Sequence, residues 1–198
     1  VEAKFGGHYL PENNSFAKQT IAHNALVVDE ASHFNGSTNE GNQNAPELGA
    51  FFTSDSLQAT SAAITTAYDD VELRRTVAMI KDAAFPKPVI VDLVAGLSDS
   101  QHQYDLPYYY NGQLVETNFD IEAEPTSRRP LGEENGYQHL WHVGESGVVN
   151  DMAQITWLLD RKFYSVTSSV PENTKVIVAE IGANDPNFNL RREPAFIF

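Results

Sequence analysis

The chain has 198 residues, 41% of them hydrophobic, which suits one domain with a proper core and is too apolar for a disordered segment. It has no cysteine, which excludes disulfides and thiolate metal sites, and its formal charge of −14 argues against nucleic acid and anionic membrane surfaces as partners. No apolar run reaches the roughly 18 residues that a membrane-spanning helix needs. A polyanionic substrate could still be held in a locally basic cleft, because salt screens fields beyond roughly 8–10 Å.

The first ten residues suggest an extended piece, the glycine turn Gly6-Gly7, and a loop through His8, Tyr9 and Pro11. The run 19–30 then dominates the first third of the chain. At period two, Ile21, His23, Ala25 and Val27 share one face and Ala22, Asn24, Leu26 and Val28 the other. Both faces are largely apolar, so the run reads as an inner strand in which an imidazole and an amide each need a partner. Residues 35–49 are rich in Asn, Gly, Glu and Ser and read as a surface loop.

Strand signals follow at close spacing. They fall at 50–53, at 57–68 and at 71–80, where Val71, Leu73, Val77 and Met79 face Glu72, Arg74 and Thr76. After Pro86 and Pro88 comes 89–97, apolar on both faces. Residues 101–110 hold His102, Tyr104 and Tyr108-Tyr109-Tyr110, and Asn111-Gly112 is a hairpin signal. A polar loop at 122–135 precedes strands at 138–143, 154–160, 163–170, 175–181 and 195–198. No segment carries a capped helical stripe. About ten strands with short turns predict an all-β protein, and this many favour two stacked antiparallel sheets, a large β-sandwich, over one sheet. The whole of 1–198 reads as a single β domain. Val1 already lies in what looks like structured sequence, with no leader peptide, and the last four residues look like a strand. The chain therefore reads as a piece of something longer.

Spacing alone leaves the candidate sites open. His23 could be a metal ligand, a proton carrier, or a core histidine bonded to a backbone carbonyl. Spacing favours the core reading, since zinc needs at least three protein ligands and none stands nearby on the same side except Asp29. Asn24 could meet a substrate carboxylate or cap a neighbouring strand. Tyr9 could be a general acid, a donor to sugar, or a half-buried loop residue. Tyr104, Tyr108, Tyr109 and Tyr110 could form a sugar-stacking platform, but packing is the commoner role for such residues. Asp69-Asp70 and Glu133-Glu134 lack the spacing of a calcium loop and read as solvated turns. No phosphate loop, nucleophile elbow or paired-carboxylate signature is present.

Residues 9–34, Tyr-Leu-Pro-Glu-Asn-Asn-Ser-Phe-Ala-Lys-Gln-Thr-Ile-Ala-His-Asn-Ala-Leu-Val-Val-Asp-Glu-Ala-Ser-His-Phe, resemble the heparinase II/III-like region of polysaccharide lyases, most of all the oligoalginate lyases of polysaccharide lyase family 17. The closing run 180–193 resembles the end of the same family. The resemblance implies a β domain that follows an N-terminal (α/α) toroid, and cleavage of 4-O-linked uronates of alginate by β-elimination. It places the principal catalytic residues in the toroid and the first β strands, so none is expected within this chain. Two positions carry over. Tyr9 resembles a tyrosine that the β domain lends to the substrate cleft. His23 resembles the family's zinc-ligand histidine, whose His and Asp partners would lie upstream of Val1. The motif's usual Thr is Ala25 here, which removes a hydroxyl but no ligand. The zinc would be structural, and in this chain alone His23 need carry none. The resemblance also implies an anionic oligosaccharide substrate, a periplasmic or secreted location, and contact with the toroid, and it leaves a homodimer open. The runner-up readings are a lyase for another uronate glycan of the heparin type and a non-catalytic carbohydrate-binding β-sandwich.

Overall fold

The structure, a computed structural model, describes residues 14–124 and 126–198. In chain order it contains a short helix α1 (Asn14–Ala17), a 3-10 turn (Thr20–Ala22), β1 (Val27–Val28), a second 3-10 segment (His33–Gly36) and α2 (Thr38–Gln43). There follow β2 (Glu47–Thr53), β3 (Leu57–Ile64), β4 (Glu72–Ile80), β5 (Val89–Leu97), β6 (Tyr104–Asp105), β7 (Pro107–Tyr109), β8 (Gln113–Thr117) and β9 (Ile121–Ala123). The last third holds a 3-10 turn (Tyr137–His139), β10 (Leu140–Val149), β11 (Met152–Leu159), β12 (Lys162–Ser169), β13 (Thr174–Ile181) and β14 (Pro194–Ile197). Every strand pair is antiparallel. The all-β expectation is met.

The sandwich is made by a five-stranded sheet, β7-β14-β13-β10-β9, and a three-stranded sheet, β12-β11-β8. Alternation along β13 and β14 sorts their side chains. Val176, Val178 and Phe196 join Ile155, Ala153, Trp157 and Val166 between the two sheets. Ile177, Ala179, Ile181, Ala195 and Ile197 face the other way, onto Phe16, Ile21, Ala22 and Val27 of the first segment. The five-stranded sheet is thus covered on both faces. Each fully buried aliphatic or aromatic side chain there contributes about 1.5–3 kcal/mol. Aromatic rings run through the inner layer, with Phe196 stacked on Tyr110 at 5.1 Å, Tyr110 against Trp157 at 5.6 Å, and Trp157 stacked on Tyr164 at 5.9 Å.

A separate four-stranded sheet, β2-β3-β4-β5, is anchored at one end by a small cluster of Val28, Ala67, Val71 and Leu73 with Leu26, Ile64 and Tyr104. β1 and β6 form the remaining two-stranded ladder beside that anchor.

Three expectations need correction. The run 19–30 is not an inner strand. It makes a 3-10 turn at Thr20–Ala22, bends, and is extended in a ladder only at Val27–Val28. Its buried residues come in neighbouring groups, Thr20-Ile21-Ala22 and Val27-Val28, because a turning backbone rather than a pleat presents them to the core. The loop at 35–49 contains α2, where the Ser37 side chain accepts the Glu40 N–H, and it already enters β2 at Glu47. Asn111-Gly112 does turn the chain, and Gly112 has φ +107, with the Leu158 carbonyl filling the place of a side chain. The strands it joins are no hairpin, however: β7 pairs with β14 and β8 with β11. It is a corner between the two layers. A true two-residue hairpin links β11 to β12, and there Asp160 and Arg161 both take positive φ, 48 and 63.

Candidate functional site

His23 lies just past the 3-10 turn, with its N–H bonded to the Thr20 carbonyl at 3.0 Å. Its ring nitrogen Nε2 is 3.0 Å from the Ala17 carbonyl oxygen. A carbonyl only accepts, so Nε2 carries the hydrogen and Nδ1 keeps a lone pair. Burial pulls the His23 pKa below its ordinary value, opposed by the Ala17 bond, so the neutral ring is favoured.

A second histidine, His33, has the same setting. Its Nε2 donates to the Leu26 carbonyl at 3.0 Å, and its ring meets the Tyr68 ring edge-on at 5.1 Å. Burial lowers its pKa, and the charge of His23 opposes its protonation further. The two segments are knitted together. The His33 N–H donates to Thr20 Oγ1 at 2.8 Å, the Thr20 N–H to Ser32 Oγ at 3.2 Å, and Ser32 Oγ to Gln19 Oε1 at 2.6 Å. Sequence reading had passed over His33, because only the 3-10 geometry of both segments brings it beside His23.

The stretch 21–24 is pinned from two sides. From the five-stranded sheet, the buried Tyr109 hydroxyl donates to the Ile21 carbonyl at 2.7 Å, and the Tyr109 N–H donates to Asn24 Oδ1 at 3.1 Å. Asn24 is therefore a strand cap, one of the two roles its position allowed. From the four-stranded sheet, Arg75 donates to the Asn24 carbonyl while gripping Asp92 through Nε and Nη2, at 2.8 and 2.5 Å. Nearby, Tyr137 donates to the buried Asp105 carboxylate, whose pKa burial raises.

This setting suits a metal-binding imidazole. A ligating histidine usually donates its other ring N–H to a carbonyl or carboxylate, which fixes the tautomer and aims the bare nitrogen. His23 has that arrangement. Among the described residues, no group of three or more His, Asp or Glu side chains could hold a metal ion. The Ala17 carbonyl is also the partner that a core histidine would take. Tyr9 lies outside the described residues. Of the four candidate platform tyrosines, Tyr109 and Tyr110 are buried and serve packing, while Tyr104 and Tyr108 are half-buried.

An antiparallel β-sandwich with a bent, histidine-bearing segment pinned across its larger sheet is the class of domain that these features define. The chain belongs to the heparinase II/III-like C-terminal family, whose model matches residues 3–198. It is 42% identical over 200 aligned positions to the exo-oligoalginate lyase of Saccharophagus degradans. It is 45% identical over 197 positions to an alginate lyase of Stenotrophomonas maltophilia. Both alignments take in all of this chain, but only 27% and 26% of the relatives, so the chain spans about a quarter of their length.

Proposed function

We propose that this chain is the β domain of a lyase that cleaves the 4-O-linked uronates of alginate or oligoalginate by β-elimination. The observation that carries the reading is the likeness, along the whole chain, to two proteins named as alginate lyases. In β-elimination the substrate carboxylate is neutralised, the C5 proton is removed and the leaving O4 is protonated. On this reading the principal acid and base stand in the toroid of the whole enzyme. The β domain completes the cleft, with Tyr9 reaching the substrate.

His23 supplies one ligand to a structural zinc site. Nδ1 is the nitrogen available, and the Ala17 carbonyl holds the ring. Zinc there would tie the bent segment to the part of the protein that carries the other ligands. A periplasmic or secreted location belongs to the same reading. The burial of Tyr109 and Tyr110 leaves the carbohydrate-binding alternative only Tyr104 and Tyr108 of its platform.

The test is the ultraviolet absorbance of unsaturated uronate. The full-length lyase is expected to raise it with alginate, and the 198-residue chain alone is not. A rise with heparin and none with alginate would reassign the substrate. Turnover by this chain alone would overturn the division of labour. For the metal, zinc content of the full-length protein should fall in His23→Ala. Equal content in both proteins would remove His23 from the site.

A further inference from the structure

At the root of the four-stranded sheet, three side chains from two stretches, the loop after β5 and the turn after β1, stand in a hydrogen-bonded row. Ser98, at the end of β5, has its Oγ 3.1 Å from His102 Nε2. His102 Nδ1 is 2.7 Å from Asp29 Oδ2. A carboxylate only accepts, so Nδ1 carries the hydrogen. Nε2 is then the bare nitrogen, and Ser98 donates to it. This is the order of nucleophile, general base and orienting carboxylate.

The row is well supported. Asp29 takes positive φ, 50, in the turn after β1, and its second oxygen accepts the Gln103 N–H at 2.9 Å. Both carboxylate oxygens are thereby fixed. The His102 side chain is 13% exposed and lies edge-on to the Tyr104 ring at 6.1 Å. That ring fits only because residue 96 is glycine, where any Cβ would overlap it. Ser98 and His102 both line an open cleft of about 740 Å³. The Ser100 N–H donates to Ser98 Oγ at 3.0 Å, which favours a developing alkoxide.

We propose that Ser98, His102 and Asp29 form a hydrolytic site for small uncharged or cationic acyl esters, separate from the lyase chemistry. Ser98 Oγ bonds to the acyl carbon as its proton passes to His102 Nε2. The tetrahedral intermediate then breaks its bond to the alcohol oxygen, which leaves with that proton. Water, deprotonated by the same nitrogen, releases the acid and restores Ser98. Asp69, Asp70, Glu72 and Asp99 rim the cleft and select against anionic esters, uronates included.

The test uses the 198-residue chain with an uncharged alkyl fluorophosphonate and with 4-nitrophenyl acetate. One probe per chain is expected on Ser98, with none bound in Ser98→Ala. Asp29→Asn is expected to slow labelling and hydrolysis at least about a hundredfold, because its amide no longer holds the proton on Nδ1. His102 faces Asp29 and Tyr104, with Asp70 held nearby through Ser100 at 3.1 Å. Ser98→Ala should melt like wild type, so its result reads chemistry rather than folding. No labelling of wild type, labelling elsewhere than Ser98, or an unchanged rate in Asp29→Asn would each overturn the proposal and leave the row as a loop staple.

Discussion

The five-stranded and four-stranded sheets are built from strands with similar apolar content, yet they stand in opposite relations to solvent. Phe196 of β14 is 1% exposed, whereas Phe51 of β2 is 73% exposed. On the five-stranded sheet each face has a partner, the three-stranded sheet on one side and the bent first segment on the other. On the four-stranded sheet the described residues cover only the root, and among them Leu48, Phe52, Ile90 and Leu93 lie open on either side. Alternation thus determines that a segment will pleat, while the cover over each face comes from elsewhere in the chain.

The largest expected effect sharpens this contrast. Phe196→Ala should cost about 3–5 kcal/mol in a denaturant titration, from lost burial and a cavity beside Tyr110. Phe51→Ala should change stability by no more than about 0.5 kcal/mol. Similar losses at the two sites would mean that the open sheet is covered in solution. Next is Tyr109→Phe, which strips the Ile21 carbonyl of its buried donor and should cost about 1–3 kcal/mol. Arg75→Met tests the link between the two regions. It leaves Asp92 without its cation and the Asn24 carbonyl without a donor, for about 1–2 kcal/mol. A null result there would mean that the four-stranded sheet is held by its apolar root alone.

A smaller effect should appear with pH. Burial lowers the pKa of His23 and of His33 in the fold, so the unfolded chain takes up protons that the folded chain refuses. Stability should therefore be flat above the ordinary histidine value near 6.5 and fall as pH drops below it. Unfolding midpoints of wild type and His33→Gln, measured between neutral pH and 5, check this: the variant should lose part of the slope. The smallest effect belongs to Arg74→Ala, whose exposed pair with Glu72 should contribute nothing measurable.

Much of the β architecture is legible in the sequence. β4, β5 and the strands from β10 onward are legible as strands, because alternating or continuous apolar runs between turn signals mark a pleat whatever covers its faces. The segment around His23 was not legible, because a three-residue 3-10 turn leaves no periodic trace and apolar neighbours mimic a two-sided strand. Asn111-Gly112 signalled a turn correctly but not which sheets it joins, since local backbone geometry carries no information on distant pairing. The ligand reading of His23 rests on family resemblance, since spacing favours a core histidine. His33, and the row Asp29–His102–Ser98, stayed hidden because their members meet only through the β1–β6 ladder and the turns beside it.

The turn between β11 and β12 has a consequence for the kinetics of unfolding. Asp160 and Arg161 both occupy a left-handed conformation without being glycine, so this turn resists closing by itself. The stem contacts, among them the Trp157–Tyr164 stack, therefore help to hold the turn closed. Arg161→Gly is expected to ease the turn, slowing unfolding while leaving the folding rate nearly unchanged.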